Sequence, residues 1–176
     1  MKIAYVTSQE RGKTDRLLSE IAGQLQAKGK SLVGIVRVSD YESRFENGCD
    51  MKVRVLPAGP QIKITQNLGE GSDACRLDPG AIAAAVSSVE AGPTDHADLF
   101  ILNKFGPEEA SGRGFVSAIG RALDSGIPVL VGVGAGCREA FDTFAGGLAE
   151  ALPDDLEALQ DWCDTAIQTK PERTTA

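Results

Sequence analysis

The sequence predicts an α/β fold of three layers, with a mostly parallel sheet and an inserted β-hairpin. Three observations point there. Short uninterrupted apolar runs recur along the chain, as strands buried on both faces require. Stretches with apolar residues at helical spacing lie between them, and turn residues punctuate the joins. With 176 residues, the chain has the length of one domain with a sizeable core. Residues 1–169 are read as that single domain and the polar residues 170–176 as a frayed tail.

Residues 2–7 open the chain with Ile3, Ala4, Tyr5 and Val6 in an unbroken run, so this strand is expected at the centre of the sheet. From Lys13 the period changes, and Leu17, Leu18, Ile21, Ala22 and Leu25 fall on one stripe of a helix that ends near Gly29. Residues 31–38 give a second strand, and a helix between two strands is what a right-handed parallel crossover needs. The stretch of about 39–78 behaves differently. Asn47-Gly48 and the Pro57–Pro60 cluster bracket two alternating runs, at 51–56 and 61–68, which read as a hairpin inserted into the α/β frame. Asp78 followed by Pro79 is an N-cap and first-turn proline for a helix reaching about Val89. Residues 98–103 form a strand, 108–123 a helix, and 127–133 a further buried strand. Helices over 138–152 and 154–168, parted by Pro153, complete the pattern.

Composition narrows the function. Lys and Arg total 18 against 25 Asp and Glu, a net charge of -7, and such a field repels phosphate polymers and anionic membranes. A nucleic-acid partner is therefore not expected. Neither is membrane insertion, because no apolar run approaches the ~20 residues that span a bilayer. The run after Lys2 is also shorter than the ~7–15 apolar residues of a signal-peptide core, so a cytoplasmic location is expected. Cys49, Cys75, Cys137 and Cys163 are widely spaced and His96 is the single histidine, a pattern of reduced thiols with neither zinc knuckle nor disulfide framework. Self-association into a homo-oligomer stays open.

The chemistry is concentrated where the first strand meets the first helix, in Thr7-Ser8-Gln9-Glu10-Arg11-Gly12-Lys13-Thr14-Asp15. A phosphate-binding P-loop has the form G-x-x-x-x-G-K-[ST]: backbone N–H groups wrap the phosphates, lysine neutralises them and the hydroxyl holds Mg²⁺. Gly12-Lys13-Thr14 fits that form, and Thr7 stands in place of the first glycine. Ser8, Gln9, Glu10, Arg11, Gly12, Lys13, Thr14 and Asp15 are thus the expected phosphate-binding segment, with Thr14 the metal contact and Mg²⁺ the expected cofactor. A P-loop enzyme also needs acids at a second strand end. The apolar strand at 99–102 is followed by Asn103-Lys104, which supplies neither a negative charge nor a base. Arg76, Asp78, Asn103, Lys104 and Arg113 are the candidates for a surrounding shell. Lys104 either faces the phosphates and replaces part of the metal's charge or is a solvated loop residue. Asp78 and Arg113 also have plain readings, as an N-cap and an exposed helix residue. Gly132, Gly134 and Gly136 sit between a strand and a helix without the acidic partner of a dinucleotide site, and they let the backbone approach the first loop or a base.

The segments TSQERGKTD, ACRLDPGAI and LFILNKFGPEEASGRGF together resemble a bacterial family of unknown function. Its genes often neighbour molybdate ABC-transporter genes, and its fold is related to P-loop nucleoside triphosphatases of the thermophilic-type nucleotide phosphatase group. The resemblance runs over roughly 2–152 and implies a P-loop NTPase-like fold. It further implies phosphate and Mg²⁺ roles for Gly12, Lys13 and Thr14, with Asn103 and Lys104 where active members carry acids. The expected function is binding of a nucleoside triphosphate or diphosphate through degenerate Walker motifs, with weak or no hydrolysis, at most that of a slow nucleoside triphosphatase, in an accessory role in molybdate uptake or metabolism. Two alternatives stay open: a non-enzymatic binder of molybdate, sulfate or phosphate, favoured by the tighter loop that β-branched Thr7 would impose, and an interaction protein with a lost ligand site.

Overall fold

A computed structural model describes residues 2–41, 50–66, 77–92 and 96–169. In chain order the elements are β1 (Ile3–Val6), α1 (Lys13–Ala27), β2 (Leu32–Arg37), β3 (Lys52–Val55), β4 (Gln61–Lys63), α2 (Pro79–Glu90), β5 (Leu99–Phe105), α3 (Pro107–Ala110), α4 (Val116–Asp124), β6 (Val129–Val133), α5 (Arg138–Phe144), β7 (Glu150–Leu152) and α6 (Leu156–Gln168). All seven strands join one sheet in the order β4-β3-β2-β5-β6-β1-β7. β1 runs parallel to β6 and β7, and β5 runs parallel to β2 and β6. The hairpin of β3 and β4 attaches antiparallel to β2. The inserted hairpin therefore widens the sheet itself.

The burial pattern follows from the apolar runs. On β1, Ile3 and Tyr5 face a cluster with α2, α4 and α5, while Ala4 and Val6 face α1 and α6. The sheet is thus covered on both sides. On α1, Leu17, Leu18, Ile21, Ala22 and Leu25 are the buried residues, the stripe expected from their spacing. Gly132 is where the layers come closest: a Cβ there would stand 2.2 Å from the Asn103 carbonyl oxygen and 2.9 Å from Leu18 Cδ1. Any side chain would push β6 away from β5 and α1.

Four boundaries differ from expectation, each for a tertiary reason. β5 continues through Asn103 and Lys104 to Phe105, with a register irregularity between Leu102 and Phe105. The expected helix at 108–123 is instead α3 and α4, separated by a loop in which Gly112 and Gly114 have positive φ. That loop is held by Glu109, a buried carboxylate that accepts from the Gly106 N–H at 2.9 Å and the Phe115 N–H at 3.1 Å. The expected helix at 138–152 stops at Phe144 because Gly146 and Gly147 turn left-handed, and β7 follows, pairing with β1. The hairpin's second strand ends at Lys63, short of residue 68. Beyond it, residues 67–76 lie outside the described part of the chain.

Burial pushes the Glu109 carboxyl up, against the pull of the two backbone N–H groups. Replacing it by alanine leaves both buried donors unpaired, so Glu109→Ala is expected to lower unfolding free energy by about 2–3 kcal/mol in a urea melt. Glu108→Ala, at the neighbouring position where the carboxylate meets Arg113, is the control and is expected to melt close to wild type.

Candidate phosphate-binding site

The loop at residues 7–12 leaves β1 at the carboxyl edge of the sheet and must reverse into α1. Gly12 makes the reversal possible, with φ 78° and ψ -4°, a left-handed conformation that a side chain would oppose. No other residue of the loop has positive φ, Thr7 included. The turn is closed by the Lys13 N–H on the Glu10 carbonyl at 3.2 Å and the Arg16 N–H on the Gly12 carbonyl at 3.1 Å. Ser8 Oγ accepts from the Glu10 N–H at 3.1 Å. Side chains of Asp78 and Asp155 cap α2 and α6, whereas no side chain caps α1. The Thr14 and Asp15 N–H groups in the first turn of α1 are therefore left for another acceptor.

Charges around the loop are matched in pairs. Lys13 Nζ lies 3.1 Å from Asp154, both side chains about a third exposed at 34% and 38%. The Ser8 hydroxyl and Lys13 together hold the Asp154 carboxyl below its usual range. Glu10 pairs with Arg16, while Gln9 and Arg11 are exposed. Asp15 turns inward. It accepts from Arg37 Nη1 at 2.9 Å and from the Asn103 side-chain amide at 3.0 Å, and Asn103 in turn accepts from the Arg37 backbone N–H at 3.0 Å. These bonds tie α1 to the ends of β2 and β5, with Asn103 only 2% exposed.

The remaining sequence candidates divide. Lys104 belongs to the edge: it is exposed, and its Cε would stand 3.1 Å from a Cβ on Gly134. Thr14 borders the same strand, its methyl 3.0 Å from a Cβ on Gly132. Asp78 caps α2 by accepting from the Gly80 and Ala81 N–H groups. Arg113 is exposed and pairs with Glu108 at 2.9 Å, and Arg76 lies outside the described residues. His96 is exposed, and Cys163 is buried with its thiol pushed up to about 12. Asp154 and Arg37 were not among the sequence candidates. Asp154 follows a strand end that the local pattern reads as the end of a helix, which hides the signal.

The donor set was tested against Mg²⁺, which the P-loop form implies. Glu10, Asp15 and Asp154 each already face a cation, and the described residues contain no group of three or more potential metal ligands from His, Cys, Asp and Glu. What the site offers a metal is the neutral hydroxyl of Thr14, since Ser8 Oγ already accepts from the Glu10 N–H. These residues do not form a carboxylate-held metal centre.

The family model described as a protein of unknown function, DUF2478, matches residues 3–162. A protein of Bradyrhizobium diazoefficiens named molybdenum import ATP-binding protein ModC 2 is 32% identical over 175 residues, covering 98% of this chain. The chain spans 19% of that relative's length. Among solved structures, a human cancer-related nucleoside triphosphatase aligns with a TM-score of 0.62 at 15% identity, and THEP1 from Aquifex aeolicus with 0.61 at 12%. Each alignment covers 98% of this chain and 100% of the other, and at these identities the likeness establishes the fold, that of a P-loop NTPase-like domain. Among the described residues no helix is long and apolar enough to cross a membrane.

Because Lys13 is already paired, a phosphate arriving there would compete with Asp154. An ion pair this exposed contributes little, because solvent screens it. Asp154→Asn is accordingly expected to tighten pyrophosphate binding by up to about fivefold in a calorimetric titration, with little change in melting temperature. Weaker binding by the variant would show that Asp154 assists the ligand.

Proposed function

The chain belongs to the DUF2478 family of proteins of unknown function, and from that premise we propose that it binds a nucleoside triphosphate or diphosphate through its phosphates and hydrolyses it slowly or not at all. One observation carries the reading. Gly12, in left-handed conformation, delivers Lys13 and Thr14 to the start of an α1 that has no side-chain cap, directly above a strand end buried in the sheet. Backbone N–H groups and a lysine at that place suit a phosphate chain. The fold shared with nucleoside triphosphatases supports it.

In this reading Lys13 exchanges the Asp154 carboxylate for a phosphate oxygen, and the first-turn N–H groups take others. A Mg²⁺ ion brought by the nucleotide would meet Thr14. Hydrolysis is slow because, among the described residues near the loop, the candidates to orient water are otherwise committed: Asn103 is buried and hydrogen-bonded, Lys104 is a cation, Asp78 is a helix cap and Glu108 faces Arg113. The relative named as a molybdenum import ATP-binding protein supports an accessory role in molybdate uptake or metabolism, in the cytoplasm. A binder of bare molybdate, sulfate or phosphate is the second reading, favoured by the single left-handed residue in the loop, since a tight cradle suits one tetrahedral anion.

A thermal-shift panel of ATP, GTP, ADP, GDP, molybdate and sulfate, with and without Mg²⁺, separates the two. Nucleotide is expected to raise the melting temperature; at 100 times its dissociation constant it adds about 2.7 kcal/mol. Lys13→Ala should abolish that rise and leave the unliganded melt nearly unchanged. Stabilisation by molybdate alone would replace the first reading with the second. Turnover of about 1–100 per second would refute slow hydrolysis.

A further inference from the structure

Asn103 and Lys104 occupy the end of β5, which is separated from β1 by β6 alone. Strand spacing of about 4.8 Å puts the two strand ends roughly 10 Å apart. The side chain of Lys104 shortens that gap, because it leans over β6: a Cβ on Gly134 would meet its Cε at 3.1 Å and its Nζ at 3.7 Å. Thr14 lies against the same strand at Gly132. Two residues along a strand are about 6.6 Å apart and share one side of the sheet, so the Lys104 ammonium, at Gly134, is the neighbour along the α1 side of Thr14, at Gly132. It makes no ion pair among the described residues, in contrast to Lys13 and Arg37. The register irregularity between Leu102 and Phe105 falls at these two residues, where Asn103 is buried and Lys104 is exposed.

We propose that Lys104 is the specificity-determining cation for the terminal phosphate of a phosphate chain held at Lys13 and Thr14, taking the place of a protein-held divalent metal, so that binding of a triphosphate does not depend on Mg²⁺. The proposal rests on the nucleotide-binding reading above. Its chemistry is charge placement alone. A phosphate chain that starts at Lys13 and the α1 N–H groups extends along the carboxyl edge past Thr14, and its third phosphate is the one that comes within reach of Lys104. A diphosphate stops short of it. Gly134 contributes by keeping the space under the lysine free of a side chain. A lysine supplies a fixed positive charge without the octahedral ligand set that Mg²⁺ demands, and the paired carboxylates around the loop provide no such set.

The test uses inorganic triphosphate and pyrophosphate, which carry no base, together with ATP and ADP, titrated calorimetrically in EDTA and in Mg²⁺. Wild type is expected to bind triphosphate about tenfold tighter than pyrophosphate in EDTA, with less than a twofold change on adding Mg²⁺. Lys104→Ala should lose the tenfold preference and keep pyrophosphate affinity, and Lys104→Arg should restore most of the preference. Lys104→Glu should make triphosphate binding require Mg²⁺. Lys104 is exposed, and melting temperatures of the three variants close to wild type will confirm that they fold. Undiminished triphosphate preference in Lys104→Ala, or a wild type that binds triphosphate only with Mg²⁺, overturns the proposal while leaving nucleotide binding intact. Absence of heat with every phosphate in wild type overturns the nucleotide reading itself.

Discussion

Burial of β1 on both faces is the constraint from which the rest follows. Ile3, Ala4, Tyr5 and Val6 are each at most 3% exposed, and β6 and β7 occupy both hydrogen-bonding edges of the strand. The chain can leave such a strand only at its carboxyl end, and α1 must then fold back over the sheet to cover Ala4 and Val6. The loop between them is short, so one residue has to turn left-handed, and Gly12 is that residue. A glycine at the N-cap cannot contribute a side-chain acceptor. The same turn that lets α1 cover the core therefore leaves the start of that helix unsatisfied at the rim.

The rim is ordered by ion pairs of unequal exposure. Asp15 and Arg37 are 15% and 31% exposed and join three elements, so their contact orients the frame. Glu10 and Arg16 are about 60% exposed and contribute little to stability. Between these extremes stands Lys13 with Asp154, firm enough to hold a charge in place and weak enough to be exchanged. Asp154 comes from the turn between β7 and α6, where Asp155 is already committed to capping α6. Adjacent acidic residues thus divide between building a helix and meeting the loop.

Much of this frame is legible in the sequence because it is written in local patterns. The unbroken apolar run of β1, the helical stripe of α1 and the Asp78-Pro79 helix start each depend on neighbours a few residues away. The parts that escape notice depend on distant ones. β7 has three residues, Glu150 to Leu152, too few for any period, and it is a strand only because the open edge of β1 accepts it. The break between α3 and α4 comes from a Glu109 that becomes buried against its own loop, which no exposed-face pattern announces. Asp154 meets Lys13 because β7 lies beside β1, a consequence of sheet order. The loop itself could be recognised as Gly12-Lys13-Thr14, but the inward turn of Asp15 could not, since its partners Arg37 and Asn103 belong to other strands.

The neutrality of Asn103 matters to the charges at the rim. Its amide donates to one oxygen of Asp15 while Arg37 holds the other. An acid at this position would set a second carboxylate about 3 Å from that of Asp15, and like charges at that range cannot both ionise without a large cost. The neutral amide thus gives Asp15 a donor where an acid would set a like charge, and the same contact holds α1 to the end of β5.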